Sequence, residues 1–377
     1  MRVIVSGGGT GGHVYPALAV AAQLRLQHQA EILFLGSDDG LETQLVPAAG
    51  FRLETIKAGK LRRYVSWQTV KGVMRVPLGM WQAVEVVRRF HADVAFTSGG
   101  YVAVPAGLAA YLNHVPLLMH QQDVPPNLSN KQVAPLATKI SVAFEDSLAY
   151  FPARKTLVLG NPVRQAILDI RQVAPMIARE RFGLAGDQPM LLVTGGSQGA
   201  RHLNQVTCQA LPELLELCQV LHISGKDLYN ETVEQSNSIL AGADARLKER
   251  YRLVPYLNEE MPAALQAADL VLCRSGASTL SELAALGKPS LLVPLPPAIG
   301  KSPQEANAAM FERRRAALVV KDADLKPGLL VARVKYIITA PETLACMMES
   351  ARAMAKPQAT QEIVDELVKI ARVKVAQ

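Results

Sequence analysis

Residues 3–21 read VIVSGGGTGGHVYPALAVA, and residues 190–205 read MLLVTGGSQGARHLNQ. Each is a short apolar, β-branched run, then a glycine cluster, then a segment with helical spacing. The apolar runs predict buried parallel strands, because both faces of such a strand lie under helices. Glycines let the backbone turn sharply and come close to a ligand. A helix N-terminus adds unpaired N–H groups and partial positive charge. The first cluster holds Gly7, Gly8, Gly9, Gly11 and Gly12, and the second Gly195, Gly196 and Gly199. One such loop is weak evidence of a phosphate site. Two, each heading its own half of the chain, predict paired α/β domains with a phosphorylated ligand.

Strand-like runs continue outward from both loops. In the first half they are Arg2–Val5, Ile32–Leu35, Val94–Thr97, Leu117–His120, Lys139–Val142 and Thr156–Leu159. Between them lies helical spacing, as in Ala17, Val20, Ala21 and Leu24. This is the βαβ pattern of an open parallel sheet. Asn161-Pro162 breaks it. The second half repeats it with Met190–Val193, Gln219–Ile223, Arg252–Pro255, Leu270–Cys273, Ser290–Val293 and Ala317–Val320. The expected division is therefore 1–163 and 164–357. An amphipathic segment, Gln361–Val375, follows the second sheet.

The 377 residues suffice for two domains of ordinary size, and 49% of them are hydrophobic. A formal charge of +7 suits an anionic partner, whether nucleic acid, phosphorylated metabolite or acidic membrane. Cys208, Cys218, Cys273 and Cys346 form no metal-like spacing and read as reduced thiols. The first strand runs straight into the glycine loop, without the charged-then-apolar plan of a leader. Between Asp93 and Asp123 there is no charged side chain. Gly99, Gly100, Pro105, Asn113, His114 and Pro116 punctuate that stretch, so it parses as strand, helix and strand rather than a membrane span.

Gly7, Gly9 and Gly12 satisfy the spacing of a dinucleotide fingerprint. That fingerprint also wants a carboxylate at the end of the second strand. Here that strand runs into Gly36 and Ser37, and its counterpart into Gly225 and Lys226, which weighs against NAD or FAD. His13 follows the first loop directly. It reads as a phosphate contact or proton acceptor, against the plainer reading of a histidine packed at a helix start. The tract Arg274-Ser275-Gly276-Ala277-Ser278-Thr279-Leu280-Ser281-Glu282 opens another helix after a strand. Glu282 is either a solvated or capping carboxylate or an acceptor for two sugar hydroxyls. Between Gly59 and Arg89, Val70, Val73, Met74, Leu78 and Trp81 can share one helical face, which Pro77 is expected to kink or divide. Lys60, Arg62, Arg63, Lys71, Arg75, Arg88 and Arg89 surround it. The stretch suits an anionic membrane interface, and core packing explains its apolar face equally well.

Taken together, the tracts resemble the MurG family, bacterial glycosyltransferases that use UDP-N-acetylglucosamine to make lipid II from lipid I. The matching pieces are GGTGGHVYPALAVA, TSGGYVAVPAGLAA, GNPVR at Gly160–Arg164, GGSQGARHLN, CRSGASTLSELAALGKPSLLVPLP, and Gln304 with Asn307. Their order over nearly the whole chain makes the match specific. It implies a GT-B fold of two Rossmann-like α/β domains, with segment 358–377 completing the first. It implies that the second domain binds the nucleotide and that the first serves the acceptor and the membrane.

Carried over by position, Thr10, Gly11 and Gly12 match the donor-contacting loop. Arg164 matches an arginine at the donor diphosphate, and Ser197 also faces phosphate. Leu257 matches a backbone contact to uracil. Ala277, Ser278, Thr279, Leu280, Ser281 and Glu282 match the nucleotide-binding helix start, with Glu282 on the ribose. Gln304 matches a glutamine on the sugar hydroxyls. The implied partners are UDP-N-acetylglucosamine, undecaprenyl-linked lipid I, an anionic membrane surface on its cytoplasmic side, and other cell-wall synthesis proteins. No nucleic acid, cofactor or metal is implied. His13 is the first candidate base and Asp123 the second. The family's HEQN tract is His120-Gln121-Gln122-Asp123 here, and its DHQ is Ser302-Pro303-Gln304. Alternatives are a related transferase with a diacylglycerol acceptor, a dinucleotide oxidoreductase, and a UDP-sugar sensor without turnover.

Overall fold

A computed structural model describes residues 1–57, 67–184, 186–296 and 303–371, with backbone alone for 67–76. The chain divides into two compact units, residues 1–164 with 356–377, and residues 165–355.

The first unit is built on a seven-stranded parallel sheet. Its strands are β1 (Arg2–Ser6), β2 (Glu31–Ser37), β3 (Arg52–Ile56), β4 (Val94–Thr97), β5 (Leu117–Gln121), β6 (Lys139–Val142) and β7 (Thr156–Val158). They lie in the order β3-β2-β1-β4-β5-β6-β7. The order reverses beside β1, so the C-terminal ends of β1 and β4 open onto the switch point where open α/β sheets bind ligands. The edge strand β3 escapes the apolar-run criterion. Three of its five residues, RLETI, are charged or polar, and only Ile56 is buried.

Helix α1 (Gly11–His28) covers one face of this sheet, and the helix Ala359–Ile370 lies beside it. Val14, Ala17, Val20, Ala21 and Leu24 share a core with Ile363, Val364 and Leu367. Gln361 seals the edge by bonding to Gln23 and Gln27. Helices α2 (Glu42–Ala48), α3 (Trp67–Phe90), α4 (Ala103–Leu112) and α5 (Leu128–Val133) complete the unit. The 24-residue helix α3 is one element that runs through Pro77, so the proline does not divide it.

The second unit carries β8 (Met190–Thr194), β9 (Gln219–Ile223), β10 (Tyr251–Val254), β11 (Leu270–Cys273), β12 (Ser290–Leu292) and β13 (Ala317–Val319). They form a six-stranded parallel sheet in the order β10-β9-β8-β11-β12-β13. The reversal again falls beside the strand that feeds the glycine loop. Cys208, Cys218 and Cys273 are buried free thiols, and Cys346 is exposed.

Candidate functional site

The first glycine loop leaves β1 and enters α1 without a side-chain cap, although Thr10 occupies the capping position. The donors of the first turn are thus not consumed by the hydroxyl that could have taken them. Gly7 fits only because it lacks a Cβ, which would collide with Ser98 Oγ and the His13 carbonyl. Ser98 Oγ instead donates to His13 O at 2.6 Å, tying the loop to the end of β4.

His13 is held by a second bond to the same residue. Its Nδ1 lies 3.0 Å from Ser98 O. A carbonyl only accepts, so Nδ1 carries the proton and Nε2 keeps its lone pair. Gln122 Nε2 donates to the same carbonyl at 3.0 Å, and its 3.4 Å approach to His13 Nδ1 is the weaker alternative. The imidazole is thereby fixed in the tautomer a general base needs.

Another arrangement here has no local signal in the sequence. Glu42, on α2, is buried, and its carboxylate accepts from Gly9 N at 2.8 Å, Ser37 N at 2.9 Å and Ser37 Oγ at 2.7 Å. One N–H of the glycine loop is therefore occupied by the protein's own carboxylate. This is a further reason against a dinucleotide pyrophosphate on this loop. Tyr101 joins the network, donating to Asp39 at 2.8 Å, and burial pushes its phenol above its usual pKa.

His120 lies fully buried in β5. Its Nε2–H donates to Asn161 Oδ1 at 3.0 Å, and its Nδ1 meets Ser141 Oγ at 2.6 Å. Burial lowers its pKa to about 4, so the ring is neutral. Gln121 donates to the Asp123 carbonyl at 2.7 Å and accepts from Asn130 at 2.8 Å. A glutamate here could not make the first of these bonds, so the amide suits its surroundings. The Asp123 side chain is half-buried. The Arg164 guanidinium stands over the Tyr15 ring at 5.4 Å, which puts this cation beside α1 in the first unit.

In the second unit, two helices begin without side-chain caps, Arg201–Leu217 after the glycine loop and Ala277–Leu286 after β11. Ser197 is exposed in the loop. Gly199 has φ +75°, and a Cβ there would strike Ser224 O, so this turn requires glycine. Ala277 and Leu280 are buried, so each can offer a ligand only its backbone. Ser281 Oγ donates back to Ala277 O at 2.8 Å. Ser278, Thr279 and Glu282 are partly exposed, as is Leu257 after β10.

Gln304 braces the same tract. Its Oε1 accepts from Leu295 N at 2.9 Å and Ser275 N at 3.3 Å. Asn307 Nδ2 donates to Ser275 O at 3.1 Å, and Arg274 is pinned to Asp322 at 2.6 Å. Ser302, preceding Gln304, lies outside the described residues.

On the surface of the first unit, Leu78 and Trp81 are 42% and 66% exposed, so the core-packing reading fails for both. Tyr111 and Leu112 are exposed on α4, which packs against α3. The side chains of Lys71, Val73, Met74 and Arg75 lie outside the described residues, as do Lys60, Arg62 and Arg63. Arg88 pairs with Glu85 and Arg89 with Glu54, which reduces their pull on an external anion. Among the described residues, no helix is long and apolar enough to cross a membrane.

Comparison with known proteins gives these features a context. The glycosyltransferase family 28 N-terminal domain matches residues 3–142, and the family's C-terminal domain matches residues 190–363. A relative from Caldanaerobacter subterraneus subsp. tengcongensis is 37% identical, covering 98% of this chain and 99% of its own. One from Desulfitobacterium hafniense strain Y51 is 40% identical over 97% and 98%. Both are named UDP-N-acetylglucosamine–N-acetylmuramyl-(pentapeptide) pyrophosphoryl-undecaprenol N-acetylglucosamine transferase. The crystal structure of Acinetobacter baumannii MurG superposes with a TM-score of 0.76 at 29% identity, covering 98% of this chain and 99% of its own. A UDP-GlcNAc 2-epimerase from Neisseria meningitidis, at 14% identity and a TM-score of 0.70, covers 98% and 100% and shares the fold alone. The fold is of the GT-B class, and the chain belongs to the MurG family of UDP-N-acetylglucosamine–N-acetylmuramyl-(pentapeptide) pyrophosphoryl-undecaprenol N-acetylglucosamine transferases.

Proposed function

We propose that this protein transfers N-acetylglucosamine from UDP-N-acetylglucosamine to the C4 hydroxyl of the N-acetylmuramoyl unit of lipid I, producing lipid II. The observation that carries the chemistry is the His13 ring, its Nδ1 bound to Ser98 O and its Nε2 left as the basic nitrogen. In the proposed step Nε2 takes the proton of the C4 hydroxyl. The hydroxyl oxygen bonds to the anomeric carbon as the bond to the diphosphate breaks, and UDP leaves with the electron pair. A single displacement inverts the α-linked donor to a β-linked product.

Charge grows on the diphosphate as the bond breaks. Donors that already point at it stabilise that charge more than the ground state, which is what speeds the step. The uncapped helix starts after residues 200 and 276, Ser197 and Arg164 are assigned that work. Glu282 is assigned to the ribose, Gln304 Nε2 to the sugar hydroxyls, the Leu257 backbone to uracil, and Thr10, Gly11 and Gly12 to the donor sugar. Asp123 is the second choice of base. His13 is preferred because its bond to Ser98 O leaves Nε2 as the nitrogen that can accept a proton.

The exposed Leu78 and Trp81 support peripheral attachment to an anionic membrane, and Lys71, Val73, Met74 and Arg75, which precede them in the sequence, are assigned to the same patch. Such attachment would bring a lipid-linked acceptor to the first unit, and other cell-wall synthesis proteins could meet the enzyme there. The test is a transfer assay with labelled UDP-N-acetylglucosamine, offering a lipid I analogue or diacylglycerol. Label in the lipid I product alone supports the reading. Label in diacylglycerol alone, or in neither, overturns it.

A further inference from the structure

We infer that Asn130 is a substrate-contacting residue, its Oδ1 accepting a hydrogen bond from a hydroxyl or amide N–H of a bound sugar beside His13. This rests on the transferase reading above and adds a group that the sequence tracts did not single out. Asn130 is 1% exposed. Its Nδ2 donates to His120 O at 3.0 Å and to Gln121 Oε1 at 2.8 Å. Both bonds fix which end of the amide is which. The His120 carbonyl can only accept, and Gln121 is itself oriented by donating to Asp123 O. Among the described residues, Asn130 Oδ1 is buried and has no donor.

A buried acceptor without a donor carries an uncompensated desolvation cost and is rarely retained without a use. Its surroundings say what the use is. The position a Cβ would take at Gly99 lies 3.5 Å from Asn130 Oδ1 and 3.1 Å from His13 Cε1 and Nδ1. Gly99 has φ +104°, so the position strongly favours glycine and no side chain comes between the two groups. An orphan acceptor and a fixed basic imidazole thus border the same point. A sugar offers hydroxyl and amide donors, whereas a phosphate offers only further acceptors, so this site selects for the saccharide end of a substrate.

The experiment pairs Asn130→Ala with substrates that lack single donor groups. Transfer is measured with 2-, 3-, 4- and 6-deoxy analogues of the UDP-sugar, and separately with a lipid I analogue whose acetamido N–H is methylated. The expected result is that one of these modifications costs the wild-type chain roughly tenfold in kcat/KM and costs Asn130→Ala almost nothing. Whether that is a donor or an acceptor analogue names the sugar. If every modification costs both proteins equally, the contact is overturned. Should Asn130→Ala fail to fold, Asn130→Ser carries the same comparison, because a serine hydroxyl can still donate toward His120 O while the distal acceptor is gone. A wild-type chain that transfers nothing to lipid I overturns the transferase reading itself, which separates the two failures.

Discussion

Each unit places a histidine on an interior strand of its sheet, and each histidine donates a hydrogen bond through Nε2–H to an asparagine oxygen. In the second unit, His222 in β9 meets Asn204 Oδ1 at 3.1 Å and Tyr251 Oη at 3.0 Å. Asn204 then spends its Nδ2 on Ser224 O at 2.9 Å and on Thr232 Oγ1 at 3.4 Å. In the first unit, His120 meets Asn161 in the same way, but among the described residues Asn161 Nδ2 has no partner, and neither has Asn130 Oδ1 nearby in the chain of bonds. One network is closed and the other is open at two atoms. A closed polar network holds a core in register, whereas an open one keeps hydrogen-bonding capacity in reserve for something that arrives later. The same device braces one sheet and prepares the other for substrate.

The largest expected effect is shared by both networks. Burial lowers the pKa of His120 from 6.5 to about 4 and of His222 from 6.5 to about 3. The unfolded chain therefore binds protons that the folded one refuses. The stability that each neutral ring contributes is complete above pH 6.5 and is lost as pH falls through that window toward 4 and 3. Each ring is worth about 3 kcal/mol or more in that window. Urea titrations from pH 7 to pH 4 should show His120→Gln and His222→Gln losing less stability on acidification than the wild type. Parallel pH profiles would break the argument.

His13→Ala should lower kcat about a hundredfold or more, with little change in melting temperature. Unaltered turnover would remove His13 as the base. Closer to the comparison, Asn204→Ala should destabilise the chain by about 2 kcal/mol, because it strands His222 Nε2–H and Ser224 O in the core. Asn161→Ala should cost less stability, since its Nδ2 has no bond to lose, yet it should weaken transfer. Equal stability losses would erase the distinction between closed and open. The smallest effect concerns the surface. Replacing Leu78 and Trp81 by serine should reduce binding to anionic vesicles by about tenfold without unfolding the protein. Undiminished binding would move the membrane contact elsewhere.

The two sheets were legible because their central strands are continuous apolar runs, as in Leu191, Leu192 and Val193. The edge strand β3 was not, because an edge buries one residue in five and its sequence resembles a surface loop. The glycine loops, and the position of His13 at the helix start behind the first of them, were also legible. What orients His13 was not, since Ser98 lies 85 positions away and Gln122 lies 109 away. Glu42 shows the same limit. Nothing around it in the sequence marks a carboxylate that will fold back onto Gly9 N. Local spacing reveals elements and loops, while the partners that set a tautomer or fill a loop N–H come only with the tertiary fold.

The helix Ala359–Ile370 also sets the order in which the protein can be made. The second unit is continuous in sequence, from residue 165 to residue 355, and can close as soon as it leaves the ribosome. The first unit is synthesised earlier yet cannot be finished earlier. The face of α1 that Ile363, Val364 and Leu367 will cover waits until the whole second unit has been translated. Until then that apolar stripe belongs to a nascent chain and is a natural place for a chaperone to bind. A ribosome that stalls before residue 359 leaves the His13 half of the enzyme with an uncovered core.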